Sequence, residues 1–260
     1  MSFEFDLLTK EILCRAIGDA DISVHVHRSL DSTNSEAKRL ALSGGGCPAL
    51  IVAESQSAGR GRMGRSFYSP ADTGVYFSIL DRAKGSLADA VTLTGAAAVA
   101  VMRAIRSLCG KQTQIKWVND LYLEGRKVCG ILAESVTLAG EAPYVILGIG
   151  INLRTSDFPP ELAGKAGSLG ACELSRAALI AQVWREIQPF LRDPHSREWL
   201  EEYRAHSCVL GKPIRWVDGG NSFSGIAEGI DEDGRLAVRT DLADLVLLRT
   251  GEISIFTDLT

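Results

Sequence analysis

The sequence has no Cys-x-x-Cys pair, and its cysteines (Cys14, Cys47, Cys109, Cys129, Cys172 and Cys208) are scattered. That spacing excludes a stapled secreted scaffold and a cysteine zinc site, and it fits reduced thiols. Histidine is scarce as well. Only His25 and His27 share a face of a predicted strand, and two imidazoles without a third ligand make a poor metal site. No apolar run is expected to be long enough to span a membrane. The opening residues, Met1 to Asp6, carry acids before any apolar stretch, so no secretory signal is read and the cytoplasm is the expected location. There is no internal repeat and no low-complexity segment. A net charge of −4 argues against nucleic-acid binding by the chain as a whole. What is present, 46% hydrophobic and 23% charged residues over 260 positions, suits one large domain plus a small one.

Patterning predicts an α+β chain. Residues 1–21 are amphipathic and contain at most one helix. Ile22 to His27 alternates as a strand does. A helix is expected from Asn34 to Leu42, opened by a capping box of Thr33 and Glu36. Ala49 to Glu54 and Val75 to Leu80 read as strands, and Leu87 to Leu108 repeats its apolar residues at helical spacing. Ile115 to Trp117, Leu121 to Leu123, Val128 to Glu134 and Tyr144 to Leu153 read as further strands, with Glu124-Gly125 as a hairpin turn. Residues 154–172 are expected to be a loop, followed by helices near 175–190 and 195–205. After Gly211 come short β segments divided by Asp218-Gly219-Gly220-Asn221 and Asp233-Gly234, the signature of a small antiparallel barrel. The expected domains are therefore 1–208 and 209–260.

Four polar clusters stand out. Gln56-Ser57-Ala58-Gly59-Arg60-Gly61-Arg62-Met63-Gly64-Arg65 combines glycines, which let backbone N–H groups approach a ligand, with always-charged guanidinium forks. This describes an anion-binding loop, although composition alone leaves a solvated basic loop equally open. It is not a Walker-type loop, because no Gly-Lys-Ser/Thr follows. Lys116-Trp117-Val118-Asn119-Asp120, with Lys127 and Gly130 shortly after, reads alone as a turn and a strand end. Asp31-Ser32-Thr33-Asn34 reads first as a helix cap, yet its hydroxyls and amide also suit a neutral polar ligand. Gly148-Ile149-Gly150-Ile151-Asn152 ends a buried strand, where close packing explains the glycines as well as ligand approach does.

In this order the clusters resemble the biotin protein ligase family. The matching pieces are Asp31 to Asn34, Gln56 with Ala58 to Arg62, Ser69-Pro70, Lys116 to Asp120, Lys127 to Leu132, Gly148 to Leu153, and Gly225 to Arg235. Two departures stand in them: Val118 replaces a common proline, which is expected to loosen the turn slightly, and Phe67 replaces a tryptophan. The resemblance implies a class II synthetase-like catalytic domain, a mixed β-sheet flanked by helices, followed by a small SH3-like barrel. It implies that ATP activates biotin as an adenylate, which a lysine of a biotin carboxyl carrier protein then attacks, with Mg2+ accompanying ATP.

By the same resemblance, Arg62 and Lys127 are the expected charge stabilisers of the reaction. Ser32, Thr33, Asn34, Gln56, Gly59, Arg60, Gly61, Gly130, Leu132 and Gly148 are expected around biotin. Arg65, Asn119, Asp120 and Asn152 are expected on the ATP side, and no Mg2+ ligand is assigned. Residues 59–67 are expected to be mobile when empty and to close over ligand, shielding a water-labile adenylate. Repressor members of the family carry an N-terminal winged helix, and the twenty residues here are expected to be too few for one. A lipoate-attaching ligase and a biotin-sensing, non-catalytic binder are the rival readings. A lipoate ligase would be expected to lack the Gly-Arg-Gly-Arg loop and the terminal barrel. Neither nucleic acid nor membrane is an expected partner, and a homodimer is left open.

Overall fold

The computed structural model describes residues 6–84, 90–138, 140, 142–170, 172 and 174–256. Helix α1 (Lys10–Ile17) and strand β1 (Ser23–Leu30) lead into α2 (Thr33–Leu42), β2 (Ala49–Gln56) and β3 (Gly74–Arg82). Helix α3 (Ala90–Cys109) is followed by β4 (Gln114–Lys116), β5 (Asp120–Leu123), β6 (Arg126–Val136) and β7 (Tyr144–Asn152). Helices α4 (Arg176–Arg192) and α5 (Leu200–Ala205) then precede β8 (Pro213–Asp218), β9 (Asn221–Ile230), β10 (Leu236–Thr240), β11 (Leu245–Leu248) and β12 (Ile253–Ile255). The predicted start of α3 at Leu87 lies outside the described residues.

Strands β1 to β7 form one mixed sheet in the order β1-β2-β3-β7-β6-β5-β4, parallel only between β1 and β2. Side chains alternate faces along a strand, and the core divides accordingly. Leu50, Val52, Val75, Phe77 and Ile79 join α1, α3 and α4 on one face, while Ala49, Ile51, Leu80 and Ile146 join Ala37 and Ala41 of α2 on the other. Glu124 and Gly125 both take positive φ, 50° and 75°, as a tight β5–β6 hairpin requires.

Strands β8 to β12 form an antiparallel sheet in the order β11-β10-β9-β8-β12. Its inward residues Ile214, Trp216, Ala227, Leu236, Val238 and Ile253 belong to the same buried cluster as the first sheet.

Two sequence expectations need correction here. Thr92–Cys109 in α3 is long and apolar enough, by length and composition, to cross a bilayer. Two-thirds of it is buried within the protein, which is how an apolar helix reads when most of its surface packs against other elements. The capping box is absent as well. The N-cap is Ser32, which makes no side-chain cap bond, and Glu36 turns outward to pair with Arg39 at 2.7 Å. The first helical N–H, that of Thr33, is satisfied instead by Gln56 Oε1 at 2.8 Å.

Candidate functional site

Cross-strand register builds the floor of the site. On the α2 side of the sheet, Ser78 of β3, Gly148 of β7 and Leu132 of β6 form one row, and Tyr76, Gly150, Gly130, Asp120 and Lys116 form the next. Each row collapses to glycine where the strands cross the middle of the sheet. The missing side chains leave a cavity of about 400 Å³ lined by Leu132, Gly148, Gly150, Gly130, Asp120 and Lys116 of these rows, the start of α2 and the Arg60–Phe67 loop.

Lys127 reaches this face because of a bulge. Leu121 pairs with Cys129 and Tyr122 pairs with Lys127, so Val128 is an extra residue on β6. An extra residue reverses the alternation beyond it. Lys127 thereby joins Tyr122 on the cavity side, while Val128 and Cys129 both enter the core. The Lys127 ammonium then lies 2.8 Å from Asp120 Oδ1.

One end of the cavity is neutral and closely wired. Gln56 Oε1 accepts from the Thr33 N–H at 2.8 Å and the Thr33 hydroxyl at 3.2 Å, and Gln56 Nε2 donates to Ser69 Oγ at 2.8 Å. The Ser78 hydroxyl lies 2.8 Å from Thr33 Oγ1 and 2.6 Å from Asn34 Oδ1. Asn34 Nδ2 donates to Glu134 Oε2 at 2.8 Å. Ser32, Thr33 and Asn34 are all buried. Such an array of fixed donors and acceptors recognises a neutral polar group by geometry.

The other end is cationic. The loop is a narrow turn in which Gly61 N donates to Arg65 O at 2.7 Å and Phe67 N donates to Gly59 O at 2.8 Å. Arg62 Nη1 donates to Asn119 Oδ1 at 3.3 Å and to Gly251 O at 3.2 Å. Burial pulls the Arg62 pKa down, opposed by Asp120, Tyr203 and Glu252, but a guanidinium stays charged at any working pH. Arg65 pairs with Glu252 and Arg60 with Glu134.

Between the two ends the Phe67 ring lies over the glycine floor. A Cβ at Gly150 would stand 2.6 Å from it and one at Gly130 3.2 Å. Phe67 therefore forms an apolar wall above these glycines.

Of the expected residues, Ser32, Thr33, Asn34, Gln56, Arg60, Gly61, Arg62, Arg65, Asn119, Asp120, Lys127, Gly130, Leu132 and Gly148 all line this one cavity. Gly59 and Asn152 are not among its lining residues. A Cβ at Gly59 would stand 2.4 Å from Phe67 O, so that glycine closes the base of the loop. Asn152 Nδ2 donates to Gly167 O at 3.0 Å, anchoring the following loop. The segment around Val118, expected to be loosened, is held by two hydrogen bonds. Trp117 Nε1 donates to Gly234 O at 2.9 Å and the Tyr203 hydroxyl donates to Val118 O at 3.0 Å, which pins the segment on both sides.

The sequence reading missed Ser78, Glu134, Lys165, Gly251 and Glu252. Ser78 sits in an apolar strand, where an isolated polar residue on the sheet face was the available signal. The others arrive through tertiary contacts that carry no local signature.

Among the described residues no three histidine, cysteine or carboxylate side chains gather into a metal cluster. The carboxylates around the cavity, Asp120, Glu134 and Glu252, are each held by a cation.

The model of the Biotin/lipoate A/B protein ligase family matches residues 26–152, and that of the Biotin protein ligase C terminal domain matches residues 209–255. A biotin--[acetyl-CoA-carboxylase] ligase of Paracoccus denitrificans is 35% identical over 226 residues, 80% of this chain and 91% of that protein. The bifunctional ligase/repressor BirA of Bacillus subtilis is 34% identical over 83% of this chain and 69% of its own length. A solved biotin protein ligase from Aquifex aeolicus in complex with biotin and ATP superposes with a TM-score of 0.74 at 25% identity, covering 91% of this chain and 99% of that one. With the two-ended cavity in place, these likenesses show that the chain belongs to the biotin protein ligase family.

Proposed function

We propose that this chain uses ATP to activate biotin as biotinyl-5'-AMP and then transfers biotin to a lysine of a biotin carboxyl carrier protein. The observation that carries this reading is the convergence of Arg62 and Lys127 on the neighbouring residues Asn119 and Asp120 within one cavity. The neutral array of Ser32, Thr33, Asn34 and Gln56 at the other end suits the cyclic urea of biotin, and the Phe67 wall suits its apolar rings.

In the first step a biotin carboxylate oxygen attacks the α-phosphorus of ATP, the bond to the bridging β-phosphate oxygen breaks, and pyrophosphate leaves. The step crowds negative charge, so preorganised cations lower its barrier. Arg62 and Lys127 stand where they can do this, without acting as nucleophiles. Arg65, Asn119 and Asp120 flank the space on the ATP side. Mg2+ enters with the phosphates as part of the substrate, since a divalent ion neutralises their charge. In the second step the acceptor lysine amine attacks the acyl carbon, the acyl–phosphate bond breaks, AMP leaves and the new amide nitrogen loses a proton. Closure of residues 59–67 over the adenylate would keep water out.

The test is incubation with labelled biotin, ATP and a carrier domain. Label on the acceptor lysine supports the reading. Pyrophosphate exchange that depends on lipoate rather than biotin would replace it with the lipoate ligase reading, and biotin binding without exchange would leave only a sensor.

A further inference from the structure

Glu134 lines neither the cavity nor any predicted motif, yet its two carboxylate oxygens hold opposite walls of the site. Oε2 accepts from Asn34 Nδ2 at 2.8 Å, and Oε1 pairs with Arg60 of the cationic loop at 2.9 Å. It stands on β6 one row beyond Leu132, on the same face.

An ionised carboxylate only accepts hydrogen bonds. The Asn34 carboxamide must therefore turn its NH2 toward Glu134 and its oxygen the other way. That oxygen meets the Ser78 hydroxyl at 2.6 Å and hangs over Gly148, where an added Cβ would be 2.1 Å away. The consequence is an acceptor, not a donor, presented to whatever lies on the glycine floor. The Arg60 contact is weaker in isolation, because Arg60 is 45% exposed and solvent screens it. Asn34 is 3% exposed, so the orientation of its amide is where the carboxylate acts most strongly.

We propose that Glu134 is a positioning residue: it fixes the acceptor face of Asn34 toward the N–H groups of a cyclic urea and tethers the Arg60 loop at the same point. This rests on the biotin reading above. A glutamine at 134 keeps the shape but donates as well as accepts, which removes the shortest bond fixing the Asn34 NH2 and leaves the longer 3.4 Å bond to Leu132 O and the Ser78 contact to orient the amide.

The experiment compares the full-length parent with Glu134→Gln, Glu134→Ala, Arg60→Ala and the Arg60→Ala/Glu134→Ala double variant. Biotin affinity is measured by calorimetry, and kcat and KM by pyrophosphate exchange. Glu134→Gln is expected to raise the Kd and KM for biotin about tenfold, as loss of one well-oriented hydrogen bond does, with kcat within about twofold. A variant that binds biotin as the parent does, or loses kcat at unchanged KM, overturns the proposal. Trypsin cleavage after Arg62 reads the tether. It is expected to rise equally in Arg60→Ala and in the double variant, and a further rise in the double variant overturns that part. A parent that binds no biotin overturns the functional reading beneath it, and is told apart because parent and variants then agree.

Discussion

The Lys127 ammonium rests 2.8 Å from Asp120 Oδ1, one residue along from the Asn119 amide that receives Arg62. Two cations far apart in sequence thus meet at one dipeptide, each held by a neutral or anionic partner until a substrate carboxylate and phosphate arrive. If their shared duty is to stabilise the charge of the phosphoryl transition state, Arg62→Ala and Lys127→Ala should each lower kcat for pyrophosphate exchange roughly 100- to 1000-fold. Thermal unfolding should change little, since neither side chain is part of the buried core. An exchange rate within about threefold of the parent for either variant would remove that residue from the chemistry.

Gly148 and Asn34 form the second dependency. An alanine at 148 would place its Cβ 2.1 Å from Asn34 Oδ1, closer than any relaxed contact, and the amide must leave its position over the floor. Gly148→Ala is expected to weaken biotin binding by at least about tenfold and to cost roughly 1–3 kcal/mol of stability as an overpacked site. Calorimetry and urea unfolding check the two effects separately. Gly229→Ala is the control, because its Cβ would meet nothing within 4 Å.

Much of this was legible in the sequence, for physical reasons that differ by region. Alternation found the strands, and the β5–β6 turn was recognisable despite Glu124 at its first position, because Gly125 follows. The glycine floor was visible as Gly148 and Gly150, although only the register with Gly130 shows that they lie side by side. Composition favoured a cap for Ser32 and Thr33, and tertiary contact with Gln56 prevailed over that local preference. Lys127 read as an exposed strand end, because the bulge at Val128 that turns it inward depends on pairing with β5. Gly251 and Glu252, 189 and 187 residues along the chain from the arginines they touch, have no local pattern to betray them.

Asp31 supplies a pH test. Its hydrogen bonds from Arg39 hold its pKa down at about 2, below the ordinary 3.8. A carboxylate with a depressed folded pKa stabilises the protein above its unfolded value, and that contribution disappears as pH falls from about 3.8 to about 2. Both partners are about half exposed, so screening limits the effect to roughly 1 kcal/mol or less. Asp31→Asn should therefore lower stability slightly at pH 7 and converge with the parent near pH 2, as measured by urea unfolding across that range. A gap that widens on acidification would reverse the sign and refute the assignment.

The loop after β7 offers the last test, because it holds the backbone of Lys127 on both sides. Lys127 N donates to Lys165 O and Gly167 N donates to Lys127 O, each at 2.9 Å. A Cβ at Gly167 would stand 2.8 Å from Arg126 Cβ, so Gly167→Val must push the loop off the strand. Displacing a charged group by about 1 Å from its working position can cost about 100-fold in rate. Gly167→Val is accordingly expected to lower kcat for pyrophosphate exchange by up to that factor and to speed trypsin cleavage after Lys165, while Gly229→Ala leaves both unchanged. Faster cleavage at an unchanged rate would show that the loop can leave β6 without moving the ammonium, and that the bulge alone keeps Lys127 in place.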